Sequence, residues 1–152
     1  MTCTIFGHKD TPENIREVLY SVLVDCIENK GADTFYVGNQ GSFDRIVRST
    51  LKQLQSLYPI RYFVVLAYRP DKIISETSLQ DFSDTIFPEA LVTVPPRFAI
   101  DKRNRWMIER SDIIITYVSR NIGGAYKFET IARKKGKTVI RLAEKTDKTK
   151  KA

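Results

Sequence analysis

The sequence is poor in the residues that build metal centres and covalent frameworks. It has one histidine and two cysteines. A single histidine, His8, excludes a multi-histidine metal cluster, and Cys3 and Cys26 form neither a zinc-ligand spacing nor a disulfide framework. Both cysteines fall in apolar patterns and are expected to be buried, reduced thiols. No metal and no resident cofactor are expected. No apolar run approaches the ~20 residues of a membrane span. The start, MTCTIFGHKD, lacks the basic segment and long apolar stretch of a signal peptide, so the expected location is the cytoplasm, with no membrane partner. No internal repeat is present, and low complexity is confined to the Lys-rich end.

Acidic residues are also short of balance, but only locally. The net charge is +7 over 152 residues. Residues 133–152 hold nine Lys/Arg against two Asp/Glu, while residues 1–132 hold 16 of each sign. The whole excess therefore lies at the C-terminal end, and a globally basic binding face is not required. The expected organisation is one domain over 1–142 and a basic, flexible tail over 143–152.

What is present alternates. Thr2–Phe6 reads as a buried strand. Asp10 or Thr11 then caps a helix with Pro12 in its first turn, and Ile15, Val18, Leu19, Val22, Leu23, Cys26 and Ile27 recur at helical spacing. Thr34–Val37 is a second strand, and a helix from about Ser42 to Tyr58 turns Phe43, Ile46, Val47, Leu51 and Leu54 inward. Arg61–Ala67 is a third strand. Tyr68 to Pro96 has no firm period. A helix from about Phe98 to Arg110 precedes strand Asp112–Val118. Then come Gly123-Gly124, a helix from about Ala125 to Lys135, and a last strand, Thr138–Leu142. Strands alternating with helices predict an α/β, Rossmann-like three-layer domain with a mainly parallel sheet flanked by helices. Ligands in such sheets bind outside the strand C-terminal ends, where strand order reverses.

Three loops at that edge carry glycines in strand-to-helix turns. Gly7 and His8 follow the first strand, and His8 is placed to meet a base or ribose. Gly38-Asn39-Gln40-Gly41-Ser42 opens a helix, with Asp44 in its first turn. Gly41 can take positive φ and bring backbone N–H groups to an anion, and Ser42 can cap or donate to phosphate. This loop lacks the Gly-Lys-Ser/Thr ending of a P-loop and is not the dinucleotide GxGxxG. In the third loop Gly123 and Gly124 free backbone amides near a helix start. Lys127 can meet phosphate there, and Glu129 can accept from a ribose hydroxyl or simply face the helix N-terminus. Between the loops, Arg103 and Asn104 lie one helical turn before Met107-Ile108; arginine suits a planar grip on phosphate.

Together these pieces resemble the SLOG superfamily, the Rossmann-like group of the Smf/DprA and lonely-guy proteins, and within it the YpsA-like branch. The similarity runs from Cys3 to Leu142. Arg103-Asn104, Met107 and Ser111-Asp112 hold the spacing of the lonely-guy Arg-Lys pair, methionine and Ser/Ala-Asp strand start. Ile122-Gly123-Gly124 stands where that family's PGGxGTxxE motif begins. The motif departs in four places. Its proline is Ile122, its Gly-Thr pair is Tyr126-Lys127, its glutamate position is Thr130 with Glu129 one residue early, and the Lys of Arg-Lys is Asn104. One residue is about 100° of helical rotation.

The resemblance implies a nucleotide or nucleotide-derived ligand, and a homodimer. The expected role is a binding module that senses or sequesters such a ligand. An alternative is a nucleoside 5′-monophosphate N-glycosidase of lonely-guy type, using Glu129 and Arg103, with Asp44 or Asp101 in reserve. A third is DNA binding in the DprA manner through the basic C-terminal end, which the neutral body disfavours.

Overall fold

The computed structural model describes residues 1–7, 14–69, 84–117 and 124–142. Six parallel strands form one sheet: β1 (Thr2–Gly7), β2 (Thr34–Val37), β3 (Arg61–Val65), β4 (Thr85–Ile86), β5 (Ile113–Tyr117) and β6 (Thr138–Arg141). Their order is β4-β3-β2-β1-β5-β6. The connecting helices are α1 (Ile15–Asn29), α2 (Gly41–Gln55), α3 (Pro96–Glu109) and α4 (Gly124–Lys134). From β1 the chain builds outward to β4, then returns to place β5 on the other side of β1. Right-handed crossovers therefore put α1 and α2 on one face, and α4 with α3 on the other.

The two faces are separate cores. Against α1 and α2 lie Cys3, Ile5, Phe35, Val37, Ile113 and Ile115 of the sheet, packed on Leu19, Leu23, Phe43, Val47, Leu51 and Leu54. Against α3 and α4 lie Phe6, Val65 and Ile114, packed on Met107, Ile108, Phe128 and Ala132. Successive strand residues alternate between these cores, as the pleat requires. Cys3 and Cys26 are both buried free thiols. The hydrogen bond to Cys26 and burial push the Cys3 thiol's pKa well above its ordinary value, so it is an inert packing group.

The observed elements differ from the sequence expectation at their ends. α2 stops at Gln55, and its last carbonyls are taken by the Ser56, Leu57 and Tyr58 amides in a closing turn. α3 begins at Pro96, two residues early, because a proline suits a helix's first turn. The region without period contains a 3-10 turn at Glu89–Leu91 and β4, whose two residues pair with Val64 and Val65. The proposed Asp10/Thr11/Pro12 cap, the turn 118–123 and the tail 143–152 lie outside the described residues.

α4 is fixed to the sheet by a charge. Glu129 is buried. Its Oε2 accepts from the Thr116 hydroxyl of β5 at 2.8 Å, and Arg141 Nε of β6 lies 2.9 Å from Oε1 and 3.1 Å from Oε2. Arg133, mostly exposed, adds a contact at 3.6 Å. A buried carboxylate with this many donors joins one helix to two strands. Glu129→Gln keeps an acceptor for Thr116 but removes the carboxylate charge that Arg141 faces here. It is expected to cost about 1–3 kcal/mol, read as a lower midpoint in urea unfolding; an unchanged midpoint would contradict the clamp.

Candidate functional site

The reversal of strand order falls between β1 and β5, where Gly7 pairs with Tyr117. Both loops leaving that point, 8–13 and 118–123, lie outside the described residues, and with them His8 and Gly123. Gly124 is the first residue of α4. What is described is the neighbouring part of the same edge, over β1, β2 and β3.

Gly7 is a glycine for packing. A Cβ there would lie 2.4–2.8 Å from the Phe43 ring. Phe43 stacks on Tyr117, with centroids 6.1 Å apart and 18° between planes. α2 thus reaches across the end of β1 to β5, and only the missing side chain lets the ring lie flat on the strand.

Gly38 has a similar cause with a charged neighbour. Its absent Cβ would lie 2.7 Å from Arg103 Nη1 and 2.7 Å from Asp44 Oδ2. Two oppositely charged side chains thus straddle the end of β2 where that side chain would stand. Gly41 takes φ +84, the left-handed region, and starts α2. Asp44 then turns back on its own helix start and accepts from the Gln40 amide at 2.9 Å. Asn39 and Gln40 are half-buried and hydrogen-bonded to each other.

Arg103 is the least expected group here, because it is 3% exposed. Nη1 donates to the Val65 carbonyl at the end of β3, 3.0 Å away, and Nε donates to Asn104 Oδ1 at 2.7 Å. Among the described residues, no acceptor lies within reach of Nη2, nor of the buried Asn104 Nδ2. Burial pushes the guanidinium's pKa down, and the charge of Asp44 opposes that shift. Burial likewise raises Asp44, opposed by the Gln40 amide, Arg103 and Arg48. A buried cation with unused donors, held at a sheet's carboxyl edge beside a helix N-terminus, is suited to an anion.

The remaining sequence candidates sit elsewhere. Glu129 is on the same face of the sheet as Arg103, but its carboxylate is taken by Thr116 and Arg141. Lys127 is exposed and paired with Asp101 of α3. That pair borders a surface groove of 580 Å³ between α3 and α4, lined by Arg97, Phe98, Asp101, Lys102, Arg105 and Lys127. Phe98 is exposed, with the Arg97 guanidinium 4.8 Å from its ring centroid. Of the groove residues, Lys127 and Asp101 were candidates in the sequence and Arg97, Phe98, Lys102 and Arg105 were not, although Phe98, Asp101, Lys102 and Arg105 share one helical face at i, i+3, i+4 and i+7. Among the described residues no group of three His/Cys/Asp/Glu side chains could hold a metal ion, and no helix is long and apolar enough to cross a membrane.

No protein-family model and no curated protein matches the sequence. Among solved structures, the fold is similar to DNA processing protein A (DprA) from Streptococcus pneumoniae, with TM-score 0.69 and 15% identity over 92% of this chain and 49% of that one. It is also similar to DNA processing protein A from Helicobacter pylori, whose structure describes a single-stranded DNA binding mode, with TM-score 0.66 and 16% identity over 93% of this chain and 64% of that one. The chain spans about half of the first protein and just under two thirds of the second. At these identities the likeness establishes the fold: a parallel, Rossmann-like α/β domain of the kind found in DprA.

Proposed function

We propose that this domain is a SLOG-type module of the YpsA-like branch that binds a nucleotide or nucleotide-derived ligand through phosphate, in a sensing, sequestering or regulatory role without turnover. The observation that carries this reading is Arg103. Its guanidinium is buried against Gly38 and the Val65 carbonyl, yet among the described residues neither its Nη2 nor Asn104 Nδ2 has a hydrogen-bond partner. Burying a cation is costly unless something repays it, and a ligand phosphate would do so with paired, charge-assisted hydrogen bonds. Gly41 and Ser42, at the start of α2, add backbone donors to the same edge. Gly7 and Gly124 lie at the strand-order reversal, and His8 and Gly123, outside the described residues, are proposed to complete the pocket.

Absence of turnover is supported by the state of the carboxylates. Cleavage of a glycosidic bond needs a carboxylate free to meet the sugar or a water. Glu129 is engaged by Thr116 and Arg141, and Asp44 by the Gln40 amide. The test is a panel of nucleoside mono- and diphosphates, NAD and cyclic nucleotides, read by thermal shift and by chromatography for released base. At least one compound is expected to raise the melting temperature with no base released. Gly38→Ala would force Arg103 and Asp44 out of place, and is expected to weaken that compound about tenfold or more. Released base, lost in Glu129→Gln, would establish the glycosidase instead. No shift with any compound would remove the pocket reading.

A second reading is favoured by the α3–α4 groove and by the DprA structures: contact with single-stranded nucleic acid. Arg97, Lys102, Arg105 and Lys127 surround Phe98, and basic side chains around an exposed aromatic ring suit a phosphodiester track with base stacking. This reading places the contact on the folded body, not on the tail 143–152. It predicts that oligonucleotide affinity, measured by fluorescence anisotropy, falls steeply with salt. The charge reversals Lys102→Glu and Arg105→Glu together should flatten that dependence, whereas removal of 143–152 should leave most of it. Loss of binding on tail removal alone would place the contact on the tail instead.

A further inference from the structure

The phosphate seat proposed above is not simply positive. Asp44 is 8% exposed and Arg103 3% exposed, and each lies 2.7 Å from the point where a Gly38 Cβ would stand. Their charges face each other across the end of β2. The other ionisable groups near them are the cation Arg48, one turn along α2 from Asp44, and the phenol of Tyr68 near Arg103. Asp44 is therefore a resident anion beside the guanidinium that would receive the ligand's anion.

We propose that Asp44 sets the charge specificity of this site, favouring singly charged phosphodiesters over doubly charged phosphate monoesters. The inference rests on the phosphate-binding reading. A terminal phosphate carries about −1.5 to −2 charges at pH 7, because its second pKa is about 6. A phosphodiester, linear or cyclic, carries one. A lone buried arginine would reward the second charge. The Arg103–Asp44 pair is neutral in sum and the nearby Arg48 is only half-buried, so the second charge gains far less than beside a lone arginine, yet its desolvation must still be met. Two like charges roughly 6 Å apart in a protein environment repel strongly enough to change affinity by about tenfold or more. A phosphodiester linkage in a strand, a cyclic nucleotide or a dinucleotide thus fits where a free 5′-phosphate does not.

The experiment uses the nucleoside 5′-monophosphate with the largest thermal shift, together with its methyl ester, at pH 8 where the monoester is fully doubly charged. Dissociation constants are measured by calorimetry for the wild type, Asp44→Asn and Asp44→Ser. Both replacements keep an oxygen for the Gln40 amide. Both should also fold: burial raises the folded-state pKa of Asp44 above its unfolded value, so its ionisation subtracts stability as pH rises past the ordinary carboxylate range. The wild type is expected to bind the diester at least about threefold more tightly, and the variants to shift the monoester-to-diester ratio about tenfold toward the monoester. A wild type that binds the monoester more tightly overturns the inference even if neither variant folds. So does a ratio unchanged in the variants. Failure of both compounds to bind removes the phosphate-binding reading and this inference with it.

Discussion

The structure is organised around a cation taken out of water. Arg103 leaves α3 and lies across the ends of β2 and β3, and several otherwise unrelated features follow from that one placement. Glycine at position 38 leaves room for the guanidinium, and a side chain there would displace it. The last carbonyl of β3, at Val65, is satisfied by the side chain. Asn104 turns its oxygen toward Nε. Asp44, in the first turn of α2, partly balances the charge while closing its own helix start. Taking both charges out of water costs stability even when they face each other, and such arrangements are common where a site must be ready for a ligand.

The other buried ionic group has a different character. Glu129 is surrounded by donors from β5, β6 and its own helix. It is a satisfied anchor, whereas Arg103 retains unused donors. The contrast separates the two residues that the lonely-guy resemblance groups as partners. A carboxylate held by an arginine and a hydroxyl is poorly placed to exchange protons, while an arginine with free N–H groups is well placed to grip. The one-residue offset of Glu129 from the family motif, read in the sequence as about 100° of rotation, agrees with a side chain turned to the sheet.

Legibility in the sequence followed the range of each cause. Five of the six strands and all four helices announce themselves through local periodicity, and their alternation determines the parallel sheet. β4 was not legible, since two residues carry no period and its pairing to Val64 and Val65 is a property of the sheet. Gly7 and Gly38 were legible as special, but the side chains that fill the space beside them were not. The ring that fills the space at Gly7 comes from α2, and the guanidinium at Gly38 comes from a helix 65 residues on. Arg141 as the partner of Glu129, and Asp101 as the partner of Lys127, likewise arise from elements brought together only by the fold. The face of Phe98, Lys102 and Arg105 follows from helical spacing, but the groove it lines forms only when α4 brings Lys127 beside it.

Electrostatics then links the two surfaces that a ligand could use. The sheet edge offers one buried cation balanced by one buried anion, a seat with direction but little net charge. The α3–α4 groove offers four exposed cations against Asp101, a surface with net charge but little direction. Exposed charges of this kind steer and hold polyanions through screened, long-range attraction. Desolvated donors such as Arg103 Nη2 and Asn104 Nδ2 act at contact distance and select geometry. α3 carries both sets on different faces, Arg103 and Asn104 inward, and Phe98, Lys102 and Arg105 outward. A phosphodiester chain would use the outer face for capture and the inner one for recognition, while a single small nucleotide would need only the inner. The difference between those ligands is therefore a difference in how much of one helix is engaged.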